Sequence, residues 1–144
     1  MIFLLLVFFH AGVSLAAESA PLFPESLTCL SEGKIRYLEM GKSKAEIGKF
    51  CFSEDRSYFL SESCREKKCA ALKASLSEVK HLALAGQVGS PGFKLCRRAG
   101  GVPELLDFFD GKKWWSMDRC RFEVDGSFVD TGILLRLWGQ AKKP

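Results

Sequence analysis

The chain has 144 residues, six cysteines and a formal net charge of +4, with both signs of charge mixed along it. Without a basic stripe, nucleic-acid binding is not expected, although a basic surface would favour anionic partners such as lipid headgroups or acidic polymers. Six cysteines in so short a chain predict disulfides and an oxidising compartment. A metal site is the weaker alternative, because only Cys64 and Cys69 form a close cysteine pair.

The first 16 residues are predicted to be a secretory signal peptide. An apolar run from Phe3 to Phe9 precedes the small residues Ser14 and Ala16, which suit the −3 and −1 positions of a cleavage site. We place cleavage after Ala16, which makes the protein secreted or periplasmic and leaves residues 17–144 as a single domain. A retained anchor is the alternative, but the run is shorter than the roughly 20 residues that cross a bilayer, and no later segment is a candidate span.

Two stretches of the chain, residues 22–62 and 90–138, share one pattern. Both begin with Pro-x4-Cys-x3-Gly, at Pro24 and at Pro91 respectively. Each continues into two alternating segments that a Gly/Lys turn separates, and the second segment ends in a cysteine. Such segments are typical of β-strands, and Asp110-Gly111 suits a two-residue hairpin turn. The pattern predicts an internal duplication, with one antiparallel β-hairpin in each copy.

The repeat also suggests how the six cysteines pair. If the two copies keep equivalent disulfides, the two cysteines of each copy join, and each bridge contributes about 3 kcal/mol by restricting the unfolded chain. The remaining two cysteines are five residues apart, which is too far for a disulfide inside a regular helix, so they need a distorted helix start. Free thiols or other pairings are the alternatives there. The predicted disulfides are Cys29–Cys51, Cys96–Cys120 and Cys64–Cys69.

Residues 63–86, between the two units, are predicted to form one amphipathic helix of about five turns. Ser63 and Glu66 have the spacing of a capping box, apolar residues then recur at helical spacing, and Gly86 suits the helix end. We expect the helix to pack across the sheets; a membrane-surface helix is the alternative. The predicted fold class is α+β, with two disulfide-stapled antiparallel β-hairpin units flanking one central amphipathic helix.

No set of residues in the sequence indicates catalysis. His81 is expected on the predicted helix away from its apolar stripe, as a surface residue and not as a catalytic base. Carboxylates are frequent around the second hairpin, but no spacing singles out an acid and a base, and turns recruit aspartate for other reasons. Phosphate-binding loops and dinucleotide fingerprints are absent from the sequence. We therefore predict that the protein is not an enzyme and needs no cofactor or metal.

Aromatic residues concentrate in the second unit, beside two lysines. Alternation along a strand places neighbouring tryptophans on opposite faces, so one ring enters the core and the other is exposed or covered by the rest of the fold. The candidate binding patch comprises Phe109, Lys112, Lys113, Trp114 and Trp115. We predict a disulfide-stabilised binding module, an inhibitor or envelope-binding protein for example, whose unknown partner is a protein, a glycan or an envelope surface. A membrane-active, haemolysin-like protein is the alternative.

Residues from Pro91 to Gly101, followed by Cys120-x-Phe122 and by Asp125-Gly126, form a longer pattern. It resembles that of small exported bacterial cysteine-containing domains of unknown function, often labelled as haemolysins: Asn-Pro-x4-Cys-x3-Gly-Gly, a hairpin, then Cys-x-Phe-x-Asp-Gly. Ser90 replaces the asparagine, one extra residue precedes Asp-Gly, and the family's further cysteines are absent. The resemblance implies an envelope or secreted location, with the first unit as a diverged second copy, and it carries no catalytic residue.

Overall fold

A computed structural model of the protein describes residues 22–76 and 89–141. The predicted signal peptide, His81 and Gly86 lie outside these residues. The strands and helices within them are, in chain order, β1 (Thr28–Glu39), β2 (Lys42–Phe52), β3 (Phe59–Ser61), α1 (Glu62–Arg65), α2 (Ala70–Leu76), α3 (Pro91–Arg98), β4 (Val102–Phe109), β5 (Trp114–Arg121), β6 (Phe128–Val129) and α4 (Thr131–Ala141).

The strands form one closed antiparallel barrel in the order β1-β2-β3-β6-β5-β4. Strands β1 and β2 pair as a hairpin, as do β4 and β5, but the two hairpins also join each other. Ile35 of β1 pairs with Phe108 of β4, and Leu60 of β3 pairs with Val129 of β6. The prediction of two hairpin units flanking one central helix is therefore wrong. Alternation within a segment indicates a strand but does not indicate which distant strand it pairs with.

The strand order is symmetric, because β1-β2-β3 and β4-β5-β6 are each a run of three neighbouring strands. A duplicated sequence would produce this order, and the duplication remains a prediction. The two copies begin differently, since Cys29 lies in a strand and Cys96 lies in α3, a helix that the sequence pattern did not predict. Ser90 caps the start of α3, because its Oγ atom accepts a hydrogen bond from the Phe93 N–H at 3.3 Å. Pro91 suits the first helical position, because proline has no N–H group that would be left without an acceptor there.

The region predicted as one helix contains two short helices with a break between them. Lys67, between α1 and α2, has a φ of 59°, in the left-handed region that stops a helix. The helix start is also wrong: α1 begins at Glu62, so Ser63 lies inside it and does not form a capping box. The Cys64–Cys69 disulfide spans the break with a Cα–Cα distance of 5.0 Å. The break brings the two cysteines within disulfide reach, which a regular helix would not do.

All three predicted disulfides are present, and no cysteine is free. Cys29 and Cys51 stand opposite each other on β1 and β2, whereas Cys96–Cys120 ties α3 to β5. Three disulfides fit an oxidising compartment. Among the described residues, no helix has both the length and the apolar character to cross a membrane.

The buried residues form two clusters on opposite sides of the strands. Inside the barrel, Phe59 and Phe108 stack with ring centroids 4.6 Å apart, and Phe50, Phe52 and Phe128 surround them. The second cluster lies outside the barrel, where α2, α3 and α4 cover the outward side chains of β3, β5 and β6. The helices therefore lie mainly on one side of the barrel; α3 also contacts β4, but no described helix packs extensively on β1, and Leu105 on β4 stays exposed.

Gly33 allows the Phe50 ring to approach the β1 backbone. A Cβ atom at Gly33 would lie 2.0 Å from a Phe50 ring carbon, whereas one at Gly48, its partner on β2, would meet nothing within 4 Å. We expect Gly33→Ala to lower the free energy of unfolding by about 1 to 3 kcal/mol, because the buried ring must move. Gly48→Ala is the matched control and should change it by less than about 1 kcal/mol. Urea denaturation of both variants measures the difference, and equal effects would contradict the close approach.

Two hydrogen bonds from backbone N–H groups to side-chain oxygens join β3 to β6 and to Asp130, the residue after it. The Phe59 N–H donates to Asp130 Oδ2 at 2.7 Å, and the Phe128 N–H donates to Ser61 Oγ at 2.8 Å. Asp130 also accepts the Ile133 N–H at 2.8 Å in the first turn of α4. Because Asp130 is buried, its pKa is raised to about 6, despite these bonds, which lower it.

We expect the free energy of unfolding to increase by about 1 kcal/mol as the pH falls from about 7 to about 5. A raised pKa means that folded Asp130 binds its proton at a higher pH than unfolded Asp130, so this stabilisation is lost as the pH rises through about 6. The Ser53 and Ser57 hydroxyls lower the pKa of Asp55 to about 2. Ionised Asp55 therefore stabilises the folded state, and this stabilisation is lost only as the pH falls further, below about 4.

Urea denaturation at several pH values tests this expectation. Asp130→Asn should be less stable at every pH, because an amide replaces one of two acceptors, and it should lose the dependence on pH between about 5 and 7. Glu25→Gln removes one exposed carboxylate and should keep that dependence. A slope that survives in Asp130→Asn would assign the titration to another group.

Candidate binding surface

The structure divides the predicted patch between three places. Phe109 and Trp114 pair across β4 and β5 and point outward from the barrel. Trp115 packs against the phenylalanines inside the barrel. Lys112 and Lys113 lie in the turn between the two strands, which has four residues instead of the predicted two. Of the predicted residues, only Phe109 and Trp114 therefore share the outward surface of the strands.

Trp114 is held in place by an arginine from the other hairpin. Its ring lies 5.4 Å from the Phe109 ring, and the Arg36 guanidinium carbon lies 4.3 Å from its centroid. Arg36 in turn donates from Nε to Asp107 Oδ2 at 2.9 Å, and Ser116 Oγ donates to the other oxygen at 2.6 Å. The Ser116 and Arg36 bonds lower the pKa of Asp107, so this carboxyl is charged at neutral pH.

Trp115 closes one end of the barrel and is not a free binding ring. Its indole N–H donates to Asp110 Oδ2 at 2.6 Å, and the cations of Arg56 and Lys113 lie 4.5 and 3.9 Å from its centroid. Arg56 also forms an ion pair with Asp110. The backbone N–H of Lys113, the Trp115 indole, the Lys112 N–H and Arg56 all lower the pKa of Asp110. This set of contacts joins the β2–β3 turn to the β4–β5 turn.

A shallow groove of about 460 Å³ lies on the outward side of β1, β4 and β5. Leu38 and Leu105 line it with 72 % and 69 % of their surface exposed. The pairing of Arg36 with Asp107 and of Tyr37 with Leu106 places both leucines at the same end of the Arg36–Asp107 pair. Ile47 on β2, 71 % exposed, also points outward, opposite Lys34. We call these outward side chains the outer face. It is defined by Arg36, Leu38, Ile47, Leu105, Asp107 and Trp114.

The exposed bulky apolar residues are unevenly distributed over the molecule. Eight such residues are exposed in the described parts of the chain, and five lie on the outer face or at the adjoining tip of the β1–β2 hairpin. The five are Leu38, Met40, Ile47, Leu105 and Trp114. A concentration of exposed apolar side chains on one side, with charged residues among them, is typical of an interaction surface.

Arg119 is a charged residue inside the barrel that the sequence pattern did not single out. Its side chain is 1 % exposed and donates to Glu46 Oε1 at 2.6 Å and to Glu104 Oε2 at 2.7 Å. Its guanidinium also lies over the rings of Tyr37 and Phe128, at 5.2 and 4.9 Å. The alternation of Trp115, Met117 and Arg119 along β5 places this arginine on the inward side, and that was the available signal.

Two carboxylates that point into the barrel are held by arginines of β5. Glu104 is held by both Arg119 and Arg121, and Glu46 by Arg119. In the described ranges, no group of three or more histidine, cysteine, aspartate or glutamate side chains could hold a metal ion. The three ion pairs join β2, β4 and β5.

No protein-family model, no curated protein and no solved structure matches this chain. The resemblance to the exported cysteine-containing domains remains a prediction.

Proposed function

We propose that the protein is a non-enzymatic binding module of a secreted or periplasmic location, and that the outer face is its binding surface. The observation that carries the proposal is the exposure of Leu38, Ile47 and Leu105, three bulky apolar side chains that point outward from β1, β2 and β4. Leaving these side chains in water costs solvation free energy that a binding partner would recover.

The outer face is rigid enough to bind without a large ordering cost. Arg36 is fixed by Asp107 on one side and by the Trp114 ring on the other, and β1 is joined to β2 by the Cys29–Cys51 disulfide. A surface that is already ordered in the free protein loses little conformational entropy on binding. Because Arg36 lies over the Trp114 ring, that ring is a poor stacking platform for a sugar, which favours a broader partner surface over a glycan.

The proposed location depends on export. We expect the mature protein to begin at Ala17, after removal of residues 1–16, and to carry the three disulfides found in the structure. Intact mass spectrometry of the exported protein, before and after reduction, measures both. Retention of the first 16 residues would contradict the proposed signal peptide without affecting the outer face.

Site-specific photo-crosslinking in the exporting cell tests the binding surface. A photoreactive phenylalanine at Leu105 or Ile47 is expected to give adducts of defined mass. The same residue at Val124, an exposed apolar position in the β5–β6 turn away from the outer face, is the matched control and should give none. Equal adduct yields at all three positions would contradict the assignment of the outer face as the binding surface.

A further inference from the structure

The tip of the β1–β2 hairpin exposes two bulky apolar side chains to solvent. Glu39 pairs with Lys42 across a two-residue turn, in which Met40 and Gly41 have φ values of 50° and 76°. Positive φ at both central residues gives the tight turn that matches the twist of a hairpin. Met40 is 99 % exposed at this turn, and Leu38 lies two residues before it. Two bulky apolar side chains, Leu38 and Met40, are thus exposed at the end of the hairpin.

The hairpin is also basic. Between residues 34 and 49 there are five basic and two acidic side chains, and Glu46 is one of the two acids, already paired with Arg119 inside the barrel. The other acid, Glu39, lies 3.6 Å from Lys44. Arg36 pairs with Asp107 of β4. In the described ranges, no carboxylate forms an ion pair with Lys34 or Lys42. The charge around the apolar tip is therefore positive.

Leu105 of β4 adds an apolar side chain beside the hairpin. It lines the same groove as Leu38 and is exposed to a similar extent, so the apolar surface continues from the tip onto the outer face. A side chain that projects from a hairpin needs a partner that can surround it, and methionine adapts to an irregular or fluid environment because its side chain is flexible. Apolar side chains among lysines have the composition of segments that lie at a membrane surface.

From this arrangement we infer that the partner of the outer face is an anionic lipid surface, which the tip side chains Leu38 and Met40 enter while Lys42 and Lys44 contact the headgroups. The inference rests on the proposed function and names its partner. Positive charge complements anionic headgroups, and the two apolar side chains supply the part of the interaction that does not depend on charge. An acidic protein partner would use the same charge and is the alternative outcome of the test.

Vesicle flotation of the oxidised protein tests the inference. With vesicles of phosphatidylcholine and phosphatidylglycerol, we expect binding that falls with added salt, and at least about tenfold weaker binding to phosphatidylcholine alone. Lys42→Gln and Lys44→Gln should each weaken binding about fivefold, and the double variant Leu38→Ser/Met40→Ser about tenfold or more.

Matched controls separate the tip from general surface properties. Val124→Ser removes an exposed apolar side chain elsewhere, and Lys68→Gln and Lys73→Gln remove exposed lysines near α2; each should change binding by less than about twofold. Circular dichroism of each variant checks that the barrel is folded. Equal binding to both kinds of vesicle, or tip variants that bind as the wild type does, would overturn the inference.

The crosslinking experiment distinguishes failure of this inference from failure of the proposed function. A photoreactive residue at Leu105 that gains the mass of a lipid supports both. If vesicle binding is absent while Leu105 gives a protein adduct, the outer face is a binding surface and its partner is not lipid. If neither vesicles nor Leu105 adducts are found, both proposals are wrong.

Discussion

Replacing Arg119 with methionine should lower the free energy of unfolding by about 3 kcal/mol, although methionine fills much of the same space. The arginine is buried between Glu46 and Glu104, and its removal leaves Glu46 without a cation and Glu104 with Arg121 alone. Breaking a buried ion pair from one side typically costs about 3 to 5 kcal/mol. We expect a loss at the lower end of this range, because Glu46 is one-third exposed and water can solvate its charge. Urea denaturation measures the change.

Two further variants show whether the charge imbalance is the cause. Arg121→Met removes the neighbouring arginine, which also bonds Glu104 but is partly exposed, and should cost about 1 kcal/mol. Adding Glu46→Gln and Glu104→Gln to Arg119→Met neutralises the two carboxylates and should restore a large part of the loss. If Arg119→Met and Arg121→Met were equally destabilising, Arg119 would not be the buried bridge that we describe.

Phe108→Ala should lower the free energy of unfolding by about 3 to 5 kcal/mol, whereas Phe109→Ala should lower it by about 1 kcal/mol. Phe108 is fully buried and contacts the rings of Phe50, Phe52 and Phe59 in the barrel interior. Its neighbour Phe109 points outward, half-buried beside Trp114. The two substitutions delete the same atoms from adjacent residues, so they test which side of β4 faces the interior.

Denaturation curves of the two variants, recorded with the disulfides intact, give the comparison. A shared m-value would show that both variants unfold to equally exposed states, so that the midpoints report stability alone. Equal losses, or a larger loss for Phe109→Ala, would place the other side of β4 in the core. The assignment of the outer face would then be wrong as well, because Leu105 and Asp107 lie on the same side of β4 as Phe109.

The cysteine pattern carried the most information about the structure. Repetition of Pro-x4-Cys-x3-Gly suggested which cysteines are equivalent, and the pairs Cys29–Cys51 and Cys96–Cys120 followed from it. The two hairpins could also be predicted, because alternation is a property of neighbouring residues. The closure of the barrel could not, because the contact between Ile35 and Phe108 joins residues far apart in sequence, and neither side chain specifies its partner.

The helices show the limits of periodicity. Apolar spacing after Cys69 predicted a helix, but nothing in the spacing shows that Lys67 adopts a positive φ and interrupts it. The second Pro-x4-Cys segment was interpreted as equivalent to the first, although Ser90 and Pro91 form a good helix start and the segment folds as α3.

Of the predicted binding patch, the sequence could show that Trp114 and Trp115 point to opposite sides of a strand. It could not show that Arg36 and Asp107 come beside Trp114, since this contact depends on the pairing of β1 with β4. Leu38, Met40 and Ile47 were overlooked for the same reason. An apolar residue on a hairpin is ordinary until the structure shows that no described helix covers it.

The central claim is that the two hairpins close into one barrel and thereby create an outer face, and NMR spectroscopy of the oxidised protein tests it most directly. Nuclear Overhauser effects between the backbone protons of Ile35 and Phe108, and between those of Leu60 and Val129, are predicted by the strand pairing. Nuclear Overhauser effects found only between β1 and β2 and between β4 and β5 would contradict closure of the barrel. The protein would then consist of two separate hairpin units, and the outer face would not be one surface.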